Sequence, residues 1–580
     1  MERNESISRD YSRPAAFKKI FNRNKRNCPP QTCRIEISID SVIIFGAVTK
    51  LPTLCLGSEI MFQNGLKARS LQLMPMRNPA DGKEHILRSV FVVWGALITT
   101  ILLFMWLGGV FDVAGGYYYL VPWCFATAIL LLSPIVYQLV RGNFDPFHPL
   151  VFASWSYFCP GFAIGGFVLA LGYSQPYYLS FVLDERTNLP LTFMYVMLGY
   201  GGLMIGFLLP FAGQLGKKIT SKMPVWNWNA DQMIKPGLIL LTIGLAYTIA
   251  AFALGILGYQ KVAEIGRFDG LIAVLSSFWY EGSFVLWVVI FRSKKLNVVH
   301  YAVITILLAT SLSRAAFQGN RGSLISIFIL VAFAYGCSGR KIGSKQMFAG
   351  GIFLTLALVI GMIYGTTFRT IKVTEERMDM DKYAGVIGDT VNSISEQGVF
   401  SNIGFGIEAM GARLDSISPL AVVVSNYEKL GPYEEAYGLS NNIWNETVVF
   451  IIPRFIWPEK PVPTPPEKYA DLYFNFPNNS FTLTPMGDLL RNYGPWGVPL
   501  GMILIGFILR AFYGAFRENQ AFSFWRSTMY FMLLTSVSYE GSYGLIIPVL
   551  VKIGVISILG IFIIRIFAGP GQSPDQAEIA

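Results

Sequence analysis

Two arginine residues flank a short polar stretch at the junction of two apolar segments. Arg314 and Arg321 stand on either side of Gln318-Gly319-Asn320. A guanidinium group can form two parallel hydrogen bonds with phosphate oxygens, so this spacing predicts a compact turn that binds an anion. Either arginine alone is also explained as a side chain that reaches from the edge of a membrane to water.

A second basic stretch lies in the longest polar segment of the chain. Residues 453–461 read PRFIWPEKP, and six prolines between residues 453 and 466 rule out a continuous helix. The aromatic and aliphatic residues of this stretch fit a turn at the lipid–water interface, with Arg454 and Lys460 beside them. The stretch is therefore either an interfacial anchor or a binding site for the diphosphate of a lipid-linked molecule.

Further charged candidates lie in the same polar segment, residues 364–496. Residues 406–424 place apolar side chains at helical spacing, which predicts a helix that packs on the membrane domain. Arg413 and Asp415 are two residues apart and would not share one face of that helix. Two other cations of this segment are Arg369 and Arg377. Three acids with apolar or aromatic neighbours are Glu408, Glu446 and Asp488.

The elements that must position these residues are membrane spans. Of the 580 residues, 53% are hydrophobic and 14% are charged, whereas soluble domains have about 25% charged residues. A helix needs about 20 apolar residues to cross a bilayer, and all spans must be helices because lipid cannot pair with backbone groups. Twelve segments fit: 87–110, 117–140, 149–172, 191–212, 235–258, 271–292, 298–314, 321–337, 347–367, 493–513, 522–539 and 541–566. We therefore expect an all-α polytopic transmembrane helical bundle of about 12 spans, with one large exported loop containing short helices.

The charges of the connections predict the orientation of these spans. With the N-terminus in the cytoplasm, every cytoplasmic connection is basic or contains Arg, and both termini lie inside. The polar segment 364–496, with sixteen Asp/Glu and ten Lys/Arg, then lies outside. The expected organisation is a cytoplasmic tail (1–83), nine spans (84–367), a periplasmic loop (368–492), three spans (493–566) and a second cytoplasmic tail (567–580).

The N-terminal 83 residues differ from the rest of the chain. They carry fourteen Lys/Arg and seven Asp/Glu, which is most of the net charge of +10. No short apolar run is followed by a cleavage site, so the segment is not a signal peptide. It is either a disordered cytoplasmic tail or the result of a misassigned start, with translation beginning at Met74 or Met76.

Several motifs resemble those of one known family. Residues 453–461 resemble the PR-x-x-W-P-x-KP segment of many oligosaccharide repeat-unit polymerases, and residues 484–494, TPMGDLLRNYG, are similar to a second segment of these proteins. Arg413-Leu-Asp415 and Asn320-Arg321-Gly322 are similar to two shorter motifs. Together with the layout of the spans, they resemble the O-antigen polymerase-like (Wzy-type) family over residues 300–515. The related O-antigen ligases rely on a His in the large loop, and this loop has none.

The resemblance implies glycosyl transfer between two undecaprenyl-diphosphate-linked oligosaccharides at the outer face of the bacterial inner membrane. A hydroxyl of one chain attacks the anomeric carbon of the other, and undecaprenyl diphosphate leaves. Such a site needs cations that stabilise the leaving diphosphate and a carboxylate that accepts the proton. The base candidates are Asp488, Glu446, Asp415 and Glu540, and the diphosphate-binding candidates are Arg314, Arg321, Arg369, Arg413, Arg454, Lys460 and Arg491.

The same scheme sets the expected cofactors and partners. No metal ion and no other cofactor are needed, and the six Cys and three His show no metal-ligand spacing. The expected partners are lipid-linked oligosaccharides, membrane lipid, a chain-length regulator and a flippase, but no nucleic acid. Glu540 has a second interpretation, in which it pairs with a nearby arginine.

Two other function classes remain open. A flippase or polysaccharide transporter would share this composition, but it would usually show internal repeats, and none is found between the two halves. An ATP-driven pump is disfavoured because no Gly-x4-Gly-Lys-Ser/Thr motif occurs. A non-catalytic membrane component of a polysaccharide export complex is the remaining alternative.

Overall fold

The computed structural model of the protein describes residues 117–224, 226, 228–259, 266–320, 322–340, 343–373, 377–396, 414–461, 466–476, 483–518 and 522–569. Helices, and no strands, form the regular structure of these ranges. The predictions for the tail (1–83), the first span (87–110), Arg321, Arg413 and Glu408 fall outside the described residues.

Sixteen main helices lie in these ranges. In chain order they are α1 (Tyr118–Val140), α2 (Pro149–Ala170), α3 (Glu185–Leu208), α4 (Pro210–Lys222), α5 (Asp231–Ala253), α6 (Asp269–Arg292), α7 (Val298–Gln318), α8 (Ser323–Cys337), α9 (Ser344–Lys372), α10 (Met380–Glu396), α11 (Ile417–Glu434), α12 (Asn442–Ile451), α13 (Pro466–Phe474), α14 (Pro485–Phe516), α15 (Phe524–Ser536) and α16 (Tyr543–Ala568). Among the described residues, nine are long and apolar enough to cross a membrane: α1–α3, α5–α7, α9, α14 and α16. The all-helical fold of the described residues is thereby confirmed, whereas the count of twelve spans and the exported loop stay predictions.

Two of the expected spans are shorter than the rest. α8 has 15 residues and α15 has 13. At about 1.5 Å per residue they are about 20–22 Å long, compared with about 30 Å for the hydrocarbon core of a bilayer. Neither helix alone can therefore cover the full thickness of a membrane.

Contacts between helix ends define two ends of the bundle. At one end, Arg517 forms an ion pair with Asp145, with 2.8 Å between Nε and Oδ2. At the other end, the segments between α9 and α14 pack on the helices, and the Tyr383 hydroxyl donates a hydrogen bond to the carbonyl of Phe317 (2.6 Å). We call this second end the loop end. The charges of the connections predict that it is the exported side.

Glycine residues allow α3 and α14 to pack at very short range. A Cβ atom at Gly206 would lie 2.0 Å from the Ile503 carbonyl oxygen, and one at Gly506 would lie 2.1 Å from the Leu203 carbonyl oxygen. Small residues of this kind let the backbones of membrane helices approach closely. The contact fixes the position of α14, which carries predicted site residues in its first two turns.

α14 begins earlier than the sequence predicts. The span was expected from residue 493, but the helix starts at Pro485, and the Thr484 hydroxyl accepts a hydrogen bond from the Gly487 amide (3.2 Å). Gly494, with φ +68°, forms a kink inside the helix. Asp488 and Arg491 are therefore on a helix and not in a loop.

Short helices lie between α9 and α14, as expected for this segment. α11 starts at Ile417, within the predicted helical stretch 406–424, and residues 452–461 are non-helical, as the prolines predict. The start of α11 rests on a wide π-helical part of α2: the Ser416 amide donates to the carbonyl of Gly161 (3.0 Å). This contact attaches the segment to the helical bundle.

Candidate functional site

A buried ion-pair network lies at the loop end, where the first turns of α14 meet the end of α11. The Arg491 guanidinium lies 2.6 Å from Glu434 Oε2 and 2.9 Å from Asp488 Oδ1. Asp488 is fully buried, and Glu434 and Arg491 are nearly so. An unpaired charge in such a place would cost several kcal/mol, so the pairing explains how three ionisable groups are accommodated here.

The other partners of Arg491 come from three further parts of the chain. Its guanidinium donates hydrogen bonds to the Leu439 carbonyl (2.8 Å), to the Tyr469 hydroxyl (2.6 Å) and to Asn442 Oδ1. These residues lie before α12, on α13 and at the start of α12. Arg491 therefore holds these helices against α14, and protein groups already satisfy its charge.

Asp488 also accepts hydrogen bonds from several protein donors. Besides Arg491, it accepts hydrogen bonds from the side-chain amides of Asn492 (3.2 Å) and Asn442 (3.4 Å) and from the backbone amide of Tyr543 (2.9 Å). Three of the four donors contact Oδ1 and one contacts Oδ2, so both carboxylate oxygens are hydrogen-bonded. This acid therefore positions the groups that donate to it, including Arg491 and the Tyr543 amide.

Glu446 is the acid of this network that can exchange a proton near neutral pH. It lies one helical turn after Asn442 on α12, is 5% exposed, and accepts a hydrogen bond from the Ser542 hydroxyl (3.0 Å). Burial, and then the charge of Asp488, raises the pKa of Glu446 to about 7. A carboxyl group with this pKa is suited to act as a general base at physiological pH.

A cluster of cations surrounds the next turn of the same helix. Phe450 is four residues after Glu446, about 6 Å further along α12. The Lys460 and Lys552 ammonium nitrogens lie 5.2 Å and 5.1 Å from the centroid of the Phe450 ring. Both distances are within the range of cation–π interactions. We call Arg454, Lys460 and Lys552 the Phe450 cation cluster.

The Phe450 cation cluster has no acidic partner in the described part of the chain. Lys460 donates a hydrogen bond to the Ile452 carbonyl (2.9 Å), and Arg454 donates one to the Pro458 carbonyl (3.1 Å). Burial, followed by the charge of Arg454, lowers the pKa of Lys460. Three positive charges without a counter-charge among the described residues make this the strongest candidate anion site of the structure.

Arg314 and Arg369 contact aromatic rings other than Phe450. Arg314 is buried within α7, donates a hydrogen bond to the Thr248 hydroxyl (2.7 Å), and lies 4.8 Å from the centroid of the Tyr280 ring. Arg369 lies 4.7 Å from the centroid of the Tyr259 ring. The predicted Arg314–Arg321 anion turn involves Arg321, whose placement is outside the described residues, so it stays a prediction.

The two remaining acid candidates lie outside the ion-pair network. Asp415 is buried and accepts hydrogen bonds from the amides of Ile417 (3.0 Å) and Ser418 (2.9 Å) and from the hydroxyl of Ser174. Burial raises the pKa of Asp415, and these hydrogen bonds oppose the shift. Its role is to satisfy the first amides of α11. Glu540 is exposed in the turn before α16, and it forms no ion pair within the described ranges.

Comparison with known proteins identifies a family but no activity. A family model described as a domain of unknown function, DUF8712, matches residues 104–467. The chain belongs to this family. The DUF8712 match includes Glu446, Arg454 and Lys460, and it ends before Asp488, Arg491 and Lys552. No curated protein and no solved structure matches the chain.

Two important residues of this DUF8712 protein were missed by the sequence reasoning. Lys552 is the first charged residue in the apolar sequence of α16. A charged residue within a membrane span is rare unless it has a function, so this position could have been selected from the sequence. Glu434 had no comparable signal, because its partner Arg491 is 57 residues away. Such a pairing depends on how α11 and α14 pack.

A metal site needs several ligand side chains that lie close together. Across the described ranges, no three side chains of His, Cys, Asp or Glu form a group that could hold a metal ion.

Proposed function

We propose that this protein is a polymerase that joins undecaprenyl-diphosphate-linked oligosaccharide repeat units into an exopolysaccharide or O-antigen chain. The proposal rests on one observation, the arrangement of charged groups along α12. A buried carboxyl group with a pKa of about 7 lies one helical turn from a cation cluster that has no acidic partner in the described ranges. Glycosyl transfer from a lipid diphosphate needs this pair of groups: a base for the acceptor and positive charge for the leaving group.

Glu446 acts on the acceptor in this scheme. Its carboxylate takes the proton of an acceptor hydroxyl, whose oxygen forms a bond with the anomeric carbon of the donor sugar. The bond between that carbon and the diphosphate oxygen breaks, and the electron pair leaves with undecaprenyl diphosphate. General base catalysis of this kind contributes about 10²–10⁴-fold to the rate.

The Phe450 cation cluster acts on the leaving group. Negative charge grows on the diphosphate as the bond breaks, and fixed cations stabilise the transition state more than the ground state. Arg454 adds a guanidinium fork, which can form two parallel hydrogen bonds with phosphate oxygens. The exposed side chains of Ile456 (66%) and Trp457 (40%) place lipid-compatible surface beside the cluster.

The buried network positions these groups. Asp488 accepts the hydrogen bond of the Tyr543 amide, and the preceding residue, Ser542, donates to Glu446. Arg491 fixes the start of α12, the helix that carries both Glu446 and Phe450. In this proposal, Asp488 and Arg491 therefore act through other residues and do not contact the substrate.

The proposed setting is the bacterial inner membrane, with the loop end facing the periplasm. The charge asymmetry of the connections supports this orientation. Lys552 is six residues after the start of the α-helical part of α16 at Ile546, about 9 Å along the helix. Its long side chain can bring the ammonium group to the interface, where lipid diphosphates are found.

One observation favours the alternative of a lipid-linked oligosaccharide flippase. α6 is interrupted at Ser276–Ser277, between Leu275 and Phe278, and interrupted helices are common in the substrate sites of transporters. In sealed liposomes, a flippase would move labelled lipid-linked repeat units between leaflets without lengthening the glycan. A polymerase would lengthen it.

The test uses purified protein in liposomes with lipid-linked repeat units, and a gel that separates glycans by length. We expect a ladder of products from the wild-type protein. Lys460→Met and Lys552→Met should each slow ladder formation about 100-fold, because each removes one stabilising cation. Lys235→Met is the matched control, since Lys235 lies 5.9 Å from the ring centroid of Phe567 at the opposite end of the bundle. A full ladder from the Lys460→Met, Lys552→Met double variant would overturn the proposed site.

A further inference from the structure

A cavity of about 280 Å³ lies among α6, α8, α15 and α16. Hydroxyl groups form the polar part of its wall, and they belong to Ser277, Tyr280, Ser326, Thr535 and Ser536. The other lining residues are apolar, and none carries a charge. The lining therefore fits a neutral ligand that can donate and accept hydrogen bonds.

The cavity lies where helices are short or interrupted. It is lined by the first turn of α8, the last turn of α15 and the break in α6. At that break the backbone changes to i→i+3 hydrogen bonds, such as that from the Tyr280 amide to the Ser277 carbonyl (2.9 Å). Irregular backbone at membrane depth is tolerated where it is buried in protein or lines a polar cavity. The same geometry builds substrate sites in other membrane proteins.

Several of these hydroxyl groups are available to a ligand. Those of Ser277 and Tyr280 form no hydrogen bond within the described ranges. The Thr535 hydroxyl donates to the Phe531 carbonyl (2.8 Å) and can still accept a hydrogen bond from a ligand. The apolar side chains of Phe531 and Ile329 line the same cavity. A sugar ring, with hydroxyl groups at its edge and C–H groups on its faces, matches both kinds of surface.

Chain connections link this cavity to the proposed catalytic groups. Ile553 lines the cavity and directly follows Lys552 of the Phe450 cation cluster. Ser536 lines it from the end of α15, and six residues later Ser542 donates the hydrogen bond to Glu446. Two of the segments that line the cavity thus also hold the base and one cation.

We propose that this cavity binds a sugar ring of the acceptor oligosaccharide and presents its reactive hydroxyl to the base. This inference rests on the proposed function, since it names a subsite of the same reaction. The volume is just below the about 300–1,000 Å³ that is usual for sites of drug-sized ligands. It therefore suits a small part of an oligosaccharide and not a complete repeat unit.

The test measures binding without turnover, on full-length protein in detergent. The two probes are lipid-linked repeat units extracted from producing cells and undecaprenyl diphosphate without sugar. Ser277→Ala and Thr535→Val should each lower the affinity for the glycosylated probe about threefold to tenfold, the effect of one hydrogen bond. The affinity for undecaprenyl diphosphate should not change.

Thr528→Val is the matched control for Thr535→Val. Thr528 is on the same helix, and its hydroxyl also donates to the carbonyl four residues earlier (2.8 Å), but it does not line the cavity. This control should bind both probes as the wild-type protein does. The proposal is overturned if the two cavity variants bind like the control, or if they weaken both probes equally. It is also overturned if the wild-type protein binds the glycosylated probe no more tightly than undecaprenyl diphosphate.

The binding assay separates this inference from the proposed function. Sugar-dependent losses in the cavity variants, without any polymer from the wild-type protein in liposomes, would refute the polymerase and support the subsite. Polymer from the wild-type protein, together with unchanged binding in the cavity variants, would refute the subsite alone.

Discussion

Glu446 gives the proposed reaction a defined pH dependence. A general base must be ionised to accept a proton, so the rate should follow the ionised fraction of this carboxyl group. With a pKa of about 7, that fraction rises from about 9% at pH 6 to about 91% at pH 8. Polymerisation should therefore accelerate about tenfold over this interval. The assay is the initial rate of ladder formation in liposomes, with equal protein and substrate at each pH.

Ser542→Ala tests the cause of this profile. The Ser542 hydroxyl donates to Glu446 and stabilises the ionised carboxylate, which holds the pKa below the value that burial alone would produce. Its removal should raise the pKa further and move the rate profile to higher pH. At pH 8.5 or above, the variant should recover most of the wild-type rate, because the base is then ionised in both proteins.

The stability of Glu446→Gln is a second readout of the same property. Because the folded-state pKa is raised, the carboxyl group favours the folded state below its ordinary pKa, and this contribution is lost as pH rises through about 7. Glutamine imitates the protonated form. The variant should unfold at a higher temperature than the wild-type protein at pH 8, and at nearly the same temperature at pH 5. It should form no ladder at either pH.

Three results would contradict this reasoning. A rate profile that is flat between pH 6 and pH 8 would show that Glu446 is not the base. A shift of the Ser542→Ala profile to lower pH would show that the hydrogen bond does not stabilise the carboxylate. A Glu446→Gln variant less stable than the wild-type protein at pH 8 would show that the carboxyl group is used for structure.

Two further predictions concern the framework that carries the site. Arg491→Met should lower the free energy of unfolding by about 3–5 kcal/mol, because Glu434 and Asp488 lose their shared cation while still buried. Thermal unfolding in detergent measures this loss, and an unchanged melting temperature would contradict the network. Gly206→Ala should cost about 1–3 kcal/mol, because its Cβ would lie 2.0 Å from a carbonyl oxygen of α14. Gly201→Ala on the same helix is the control, since a Cβ there meets nothing within 4 Å; equal effects of the two substitutions would refute close packing of α3 on α14.

Some features of this molecule could be predicted because they depend on local sequence. The apolar segments predicted the helices that cross the bundle, and the prolines of residues 453–461 predicted a non-helical stretch. Glu446 and Asp488 were both selected as acids beside apolar neighbours, and the structure places them in one network. A buried acid has apolar neighbours in the sequence, which is why both selected acids lie in one buried network.

Other features depend on packing between distant segments, and no pattern in the local sequence predicts them. The pairing of Arg491 with Glu434 could not be predicted, so this cation was expected to bind substrate instead of an acid of the same chain. The hydroxyls of the cavity come from three helices, and each resembles an ordinary serine, threonine or tyrosine of a membrane helix. The early start of α14 was missed because residues 485–492 are polar enough to resemble a loop.

The short helix α8 has a consequence for the lipid around the protein. A helix of about 22 Å in a hydrocarbon layer of about 30 Å leaves a mismatch of about 8 Å. The surrounding bilayer responds to such a mismatch by becoming thinner near the short helix. Lipid headgroups and water would then lie closer to the middle of the protein at this point of its circumference than elsewhere. A polar molecule attached to a lipid would have a shorter path from the membrane surface to the interior of the bundle there.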